Sequence, residues 1–340
     1  WQNGIVLDKA KLATNAQSIS GDYVPLVSDG TVITTSEFDN ANSDPQEIGF
    51  TFEYKCQPFT QFILNTNGFI KLGDTPPSAA NLFFEDARAS TGGIFNNNDP
   101  ADVNLISPLN LDLTAGTGSP EYRVYTSGEA PNRICTIQYK DVREANTDPI
   151  PQYANMQFQI KLYETSNVIE FVYGDWTRAF NGDDFRAVAC GLKGSSRASE
   201  QLLIVSKADE EAWEDVQFAN ANYNSTSALY YSEPPVSPKP DDGRTIRFEP
   251  SYNNDLGLKE IYALGDASLY YSSPQTIQVY IENEGWTDRE NIPVTLSITG
   301  ANTVTETNVI AGLGQSDYFI LQLPAFIPEF NGPTTIQITL

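Results

Sequence analysis

The sequence predicts an all-β chain: a large jelly-roll-like β-sandwich, then an immunoglobulin-like β-sandwich, with one short helix. Three observations predict it. The apolar residues are the strand-forming kind, with 17 Tyr, 18 Phe and many Val, Ile and Thr. Gly (23) and Pro (21) are frequent, as short strands separated by turns require. Apolar and polar residues alternate with period two in segment after segment, the mark of half-buried strands. With 340 residues, 40% of them hydrophobic, the chain can build two or three cores and lies outside the disordered range.

The first strands lie at Ile48 to Tyr54, where Phe50, Phe52 and Tyr54 share a face, and at Phe62 to Leu72. In the latter, two apolar runs flank Asn67-Gly68, a pair that predicts a hairpin with a type I′ turn. Tyr122 and Val124 share a face in the next strand, followed by Cys135, Ile137 and Tyr139 in another. Met156, Phe158, Ile160 and Leu162 alternate with polar residues, and Val168 to Tyr173 is apolar on both faces except at Glu170. Ser206 is placed to cap a short helix from Lys207 to Val216, with Asp209, Glu210 and Glu211 near its N-terminus and Trp213 and Val216 on one face.

Residues 231–240 are too rich in Pro for ladder pairing, yet Thr245 to Phe248 reads as a strand closing the first domain. The boundary then falls at Pro250 to Asn254, giving domains 1–250 and 251–340. In the second, Ile277, Val279 and Ile281 alternate, then Val294, Leu296 and Ile298, then Phe319, Leu321 and Leu323, then Ile336, Ile338 and Leu340. About six strands in so short a span suit an immunoglobulin-like sandwich. The pattern runs to Leu340 with no closing strand after it, so the expectation is that the natural protein continues. The start at Trp1, without an initiator Met, reads as a trimmed or processed chain.

Twenty Lys and Arg against 44 Asp and Glu give a net charge of −24. Such a field repels phosphate backbones and anionic headgroups, so neither nucleic acid nor a membrane surface is an expected partner. No apolar stretch is long enough to span a bilayer. The chain has no histidine, which removes the commonest general base, the usual zinc ligand and the Ser-His-Asp arrangement. No catalytic residue and no enzyme activity are expected. Cys56, Cys135 and Cys190 show no C-x-x-C spacing; they read either as small buried hydrophobes or as one disulfide and a free thiol.

Two ligand readings remain. Asn96 to Asp102 and Asn181 to Asp184 cluster oxygen ligands on turns, which makes Asp99, Asp102, Asp183 and Asp184 the calcium candidates; neither stretch has EF-hand spacing, and both also read as solvated turns. Trp176, after Gly174-Asp175 at a strand end, is the candidate for stacking on a sugar ring, against the alternative of a core Trp.

Ile48-Gly49-Phe50-Thr51-Phe52, Thr60-Gln61-Phe62 and Asn65-Thr66-Asn67-Gly68-Phe69-Ile70-Lys71-Leu72-Gly73 together resemble a recurrent N-terminal module of large secreted Bacteroidota proteins, many exported by type IX secretion. The resemblance continues through Leu105 to Leu109, Ala130 to Arg133 and Phe158 to Tyr173, and covers roughly residues 30 to 250. The segment from Asp255, with its Asn283-Glu284-Gly285 turn, resembles the CARDB-like adhesion repeats that follow such modules. At Asn110-Leu111-Asp112-Leu113 the chain departs from the Trp and paired acids such modules often carry. The resemblance implies a cell-surface or secreted multidomain protein, gliding adhesins included, that meets surface glycans or other cell-surface proteins, and the secretion machinery during export. The expected function is adhesion or display; the rival is carbohydrate binding beside a secreted hydrolase.

Overall fold

The structure, a computed structural model, describes residues 14–55, 57–84, 93–145, 151–179, 185–198, 201–220, 228–232, 239–250, 256–262, 274–283, 288–314, 317–329 and 332–340. It divides into two compact units that meet in sequence between Pro250 and Ser251.

The first unit begins with β1 (Thr14–Ser20), β2 (Thr31–Ile33), β3 (Gln46–Tyr54), β4 (Gln57–Asn65) and β5 (Phe69–Leu72). After a 3₁₀ turn at Gly93–Phe95 come β6 (Leu105–Asn110), β7 (Leu113–Ala115), β8 (Glu121–Ser127) and β9 (Ile134–Glu144). Next are β10 (Tyr153–Tyr163), β11 (Ile169–Tyr173), β12 (Thr177–Arg178) and β13 (Phe185–Lys193). β14 (Leu202–Ser206), β15 (Gln217–Ala219), β16 (Leu229–Ser232) and β17 (Arg244–Pro250) complete it. One nine-stranded sheet runs β1-β17-β11-β10-β9-β8-β2, with β12 beside β10 and β7 beside β9. An eight-stranded sheet runs β15-β14-β13-β6-β5-β4-β3, with β16 beside β13. Strand pairing in both is antiparallel.

The period-two pattern explains how these sheets meet. Phe50, Phe52, Phe62, Leu64 and Ile70 from one sheet pack with Ile137, Tyr139, Phe158, Ile160 and Phe171 from the other in a single core. A second apolar cluster lies on the opposite face of the eight-stranded sheet, where Phe69, Leu105, Ala189, Leu202 and Ile204 meet Phe84, Ile94 and Phe95. The segment between β5 and β6 therefore covers that face. With both faces of the sheet covered, every residue of β5 and β6 is buried, Lys71, Ser107 and Asn110 included.

Two local expectations are corrected. β4 and β5 do form a hairpin, but Asn65 pairs with Phe69 and leaves three residues in the loop, so the turn is not type I′. Gly68 alone takes a positive φ, +79°. The asparagines face inward: Asn67 Oδ1 accepts the Leu113 N–H at 3.0 Å, and Asn67 Nδ2 donates to Asn40 Oδ1 at 3.0 Å. The short helix is absent as well. β14 runs on to Ser206, Lys207 bridges to Leu229, and between Lys207 and Val216 the helical geometry is confined to a single 3₁₀ turn at Trp213–Asp215. Ala212 precedes that turn with extended backbone and no side-chain cap, while Trp213 and Val216 bury as their spacing predicts. Docking of Trp213 against Tyr173 at 4.9 Å outweighs the helical preference of the acidic stretch.

The second unit contains β18 (Leu256–Tyr262), β19 (Gln278–Asn283), β20 (Arg289–Gly300), β21 (Val304–Leu313), β22 (Tyr318–Gln322) and β23 (Thr334–Thr339). They form two antiparallel three-stranded sheets, β18-β19-β22 and β21-β20-β23. Val279, Ile281, Val294, Leu296 and Ile298 are buried between them. The turn expected after Asn283 lies outside the described residues.

Candidate functional site

β5 and β13 place two lysines on the face that the segment between β5 and β6 covers. Strand alternation sends Ile70 and Leu72 into the main core and Phe69 and Lys71 to the other side. Lys193, the last residue of β13, is buried beside them. Its Nζ donates to the Ile94 carbonyl at 2.8 Å, the Asn97 carbonyl at 3.1 Å and Asn97 Oδ1 at 3.2 Å. Lys71 Nζ donates to the Thr75 carbonyl at 2.5 Å. Burial pulls the Lys193 amine down to about 8, with the Asp102 charge opposing it, and lowers Lys71 for the same reason.

Asp102 is fully buried at this site. Its carboxylate accepts from the Ser78 N–H at 2.8 Å, the Ser78 hydroxyl at 2.6 Å and Asn97 Nδ2 at 3.0 Å. The carboxylate proposed from sequence as a calcium ligand thus organises its own loop. Asp99 is exposed and accepts the Ala101 N–H at 2.9 Å, a turn-forming bond. Asp183 and Asp184 lie outside the described residues. Among the described residues, no three His, Cys, Asp or Glu side chains gather as a metal ion would need.

Trp176 sits elsewhere, and not as an exposed platform. Its ring is buried, and Nε1 donates to the Gln157 carbonyl at 3.2 Å. It contacts Tyr153 at 5.0 Å and both Trp213 and Tyr231 at 5.6 Å, all edge to face. The sugar-stacking role is therefore withdrawn, because a ring enclosed by three others offers no face to a ligand.

Beside this cluster lies Glu144, fully buried at the end of β9. Oε1 accepts the Tyr231 hydroxyl at 2.9 Å, and the positive charge of the buried Arg186 acts on it. Burial raises the Glu144 carboxyl, and Arg186 and Tyr231 counter part of that. Cys135 and Cys190 are free buried thiols, each pushed up to about 12 by burial, while Cys56 lies outside the described residues. Sequence reasoning missed Lys193, Glu144 and Arg186. The available signal was a charged residue inside or at the end of an apolar strand run.

The second unit carries its notable groups on the outside. Tyr262, Tyr280, Tyr318 and Ile320 share the solvent face of β18-β19-β22 by register, and Tyr280 stacks on Tyr318 at 5.3 Å. No helix among the described residues is long and apolar enough to cross a membrane.

A search of curated proteins finds no match to the chain, nor does a search of solved structures. One family model, described as NIDO related, matches residues 15–250, which is more than half of the chain and coincides with the first unit. The chain belongs to the NIDO-related family.

Proposed function

We propose that the chain is a non-catalytic extracellular module serving adhesion or display within a larger secreted surface protein, of the gliding-adhesin kind that the sequence resembles. One observation carries the reading. Nine large hydrophobic side chains are exposed among the described residues, and six of them (Tyr262, Val309, Tyr318, Phe319, Ile320 and Ile327) belong to the second unit. The three in the first unit are all valines. The first unit thus acts as a sealed scaffold and the second offers the apolar, aromatic surface that a docking contact uses. Membership of the NIDO-related family supports the extracellular placement. A net charge of −24 and the lack of histidine fit the same reading.

The test is binding of the immobilised chain to glycan arrays and to intact cells, with a turnover screen alongside. Tyr318→Ala combined with Ile320→Ser is expected to weaken retention at least several-fold without moving the melting temperature. Undiminished binding by that variant, or turnover by the purified chain, removes the proposal.

A further inference from the structure

Lys193, Asn97 and Asp102 form a chemically pointed arrangement. An amine buried in apolar surroundings lies 3.2 Å from the side-chain oxygen of a carboxamide, whose nitrogen lies 3.0 Å from a buried carboxylate. Ile94, Phe95 and Leu105, fully buried in the second apolar cluster, cover the lysine side of this arrangement, while Asn97 is half-buried. We propose that Lys193 and Asn97 join in an intramolecular isopeptide bond, released as ammonia on the leaving side and served by Asp102 as proton carrier. The idea is independent of whether the chain is an adhesin.

Four features support it. Loss of one proton leaves Nζ two N–H groups for the Ile94 and Asn97 main-chain carbonyls and frees its lone pair to face the Asn97 carboxamide. Burial, which holds this Lys near 8, keeps a useful fraction of that neutral form at neutral pH. The carbonyl carbon lies about 1.23 Å from Oδ1, so a modest swing of the Asn97 side chain brings it within roughly 3–3.5 Å of Nζ. Held there, a reaction that is negligible between free amines and amides becomes intramolecular, with an effective molarity on the order of 10⁵ M or more. Asp102 is fixed by Ser78 on one side and touches the leaving nitrogen on the other.

The step balances without an added reagent. The Nζ lone pair forms a bond to Cγ, and the carbonyl pair moves to Oδ1. That pair then returns as the Cγ–Nδ2 bond breaks. Nζ gives up one proton and Nδ2 gains one, with Asp102 Oδ2 handing it over. The products are a secondary amide and ammonia, and no atom changes oxidation state. The two main-chain carbonyls that accept from Nζ, those of Ile94 and Asn97, restrain the lysine against β13 and the loop it would tie down.

Intact mass of the purified chain under denaturing conditions decides the matter. The expected mass is about 17 Da below that of the sequence, the loss of one ammonia. Digestion should yield a branched peptide joining the segments around Asn97 and Lys193. Lys193→Arg and Asn97→Ala should show the full mass. They should also melt about 10 °C lower, because the ring they open spans nearly 100 residues. Asp102→Asn should react slowly or not at all. A wild-type mass equal to the sequence overturns the proposal whatever the variants do. So does a deficit that maps to an Asn-Gly pair such as Asn67-Gly68, where cyclisation to a succinimide sheds the same mass. Normal reaction in Asp102→Asn overturns the role of the carboxylate.

Discussion

In the first unit Met156, Phe158, Ile160 and Leu162 alternate along β10 and all four are fully buried; in the second, Ile336 and Ile338 alternate as cleanly along β23 and remain half-buried. Phe319 of β22 pairs with the core residue Ile281 and is still 41% exposed. The alternation is the same in both units. What differs is the cover. Sheets of nine and eight strands face each other in the first unit, whereas the second opposes three strands with three. A period-two pattern names the face that turns inward, and the breadth of the opposing layer decides how much of that face leaves water. The first unit also hides Glu144, Arg186, Lys193 and Asp102, so its stability rests on buried polar partners, which the second unit uses less.

The largest expected contrast is in alkali. Tyr139, Tyr173 and Tyr231 are raised well above the usual tyrosine value by burial, and Cys135 and Cys190 are pushed up to about 12. A raised folded value means that the folded state keeps protons the unfolded chain has released. The stabilisation is therefore complete below the unfolded values of roughly 8.5 for Cys and 10 for Tyr, and is lost as pH rises beyond them. Cooperative unfolding of the first unit above about pH 10 is expected, with tyrosinate absorbance appearing in the same step. Tyr262 and Tyr280 of the second unit are raised too, but near the surface, and they give a weaker dependence. Hydrogen exchange followed through this pH range assigns the loss to one unit, and simultaneous loss in both would erase the contrast.

Truncating one inward-facing side chain in each unit sharpens the comparison. Trp213 touches Tyr173 and Trp176 and is buried, so Trp213→Ala should cost about 3–5 kcal/mol. Ile338, half-buried, should cost roughly 1 kcal/mol on the same change, because much of its surface already faces water. Denaturant midpoints measure both. Equal losses would mean that the second core is as closed as the first.

Much of this architecture is legible in the residues, and the failures have physical causes. The strands around Phe52, Phe158 and Val279 follow directly from alternation. The helix expected after Ser206 fails because a cap and three acids state a local preference, whereas Trp213 and Val216 are held by a core that no local window contains. Trp176 follows the rule for large aromatics and buries, although its strand-end position suggested a surface. Lys193 escaped the sequence reading. Its burial depends on a segment of chain nearly 100 residues earlier that folds across β13 and supplies Ile94 and Asn97 as partners. Asp102 was singled out for its oxygens, and the hydrogen bonds it accepts from Ser78 and Asn97 explain why a carboxylate stands there.

The smallest contrast concerns two glycines. Gly68 holds φ at +79°, and a Cβ there would lie 2.0 Å from the Leu109 carbonyl oxygen, a backbone atom that cannot step aside. The loop around it is anchored by Asn110 Nδ2 donating to the Asn67 carbonyl at 2.8 Å, so the hairpin cannot drift outward to relieve the clash. Gly68→Ala should therefore cost about 2 kcal/mol or more, the strain of a left-handed alanine plus a displaced strand. Gly312 in β21 has no such φ, and a Cβ there meets only the Arg289 carbonyl oxygen at 3.6 Å, an ordinary contact. Gly312→Ala should stay within about 0.5 kcal/mol of the parent, or stabilise it slightly by restricting the unfolded chain. Thermal melts of the two variants give the comparison directly. A neutral Gly68→Ala would show that the tightly packed loop between β4 and β5 yields more easily than its hydrogen bonds imply, and that the first unit owes less to its buried polar partners than to the apolar faces it shares in kind with the second.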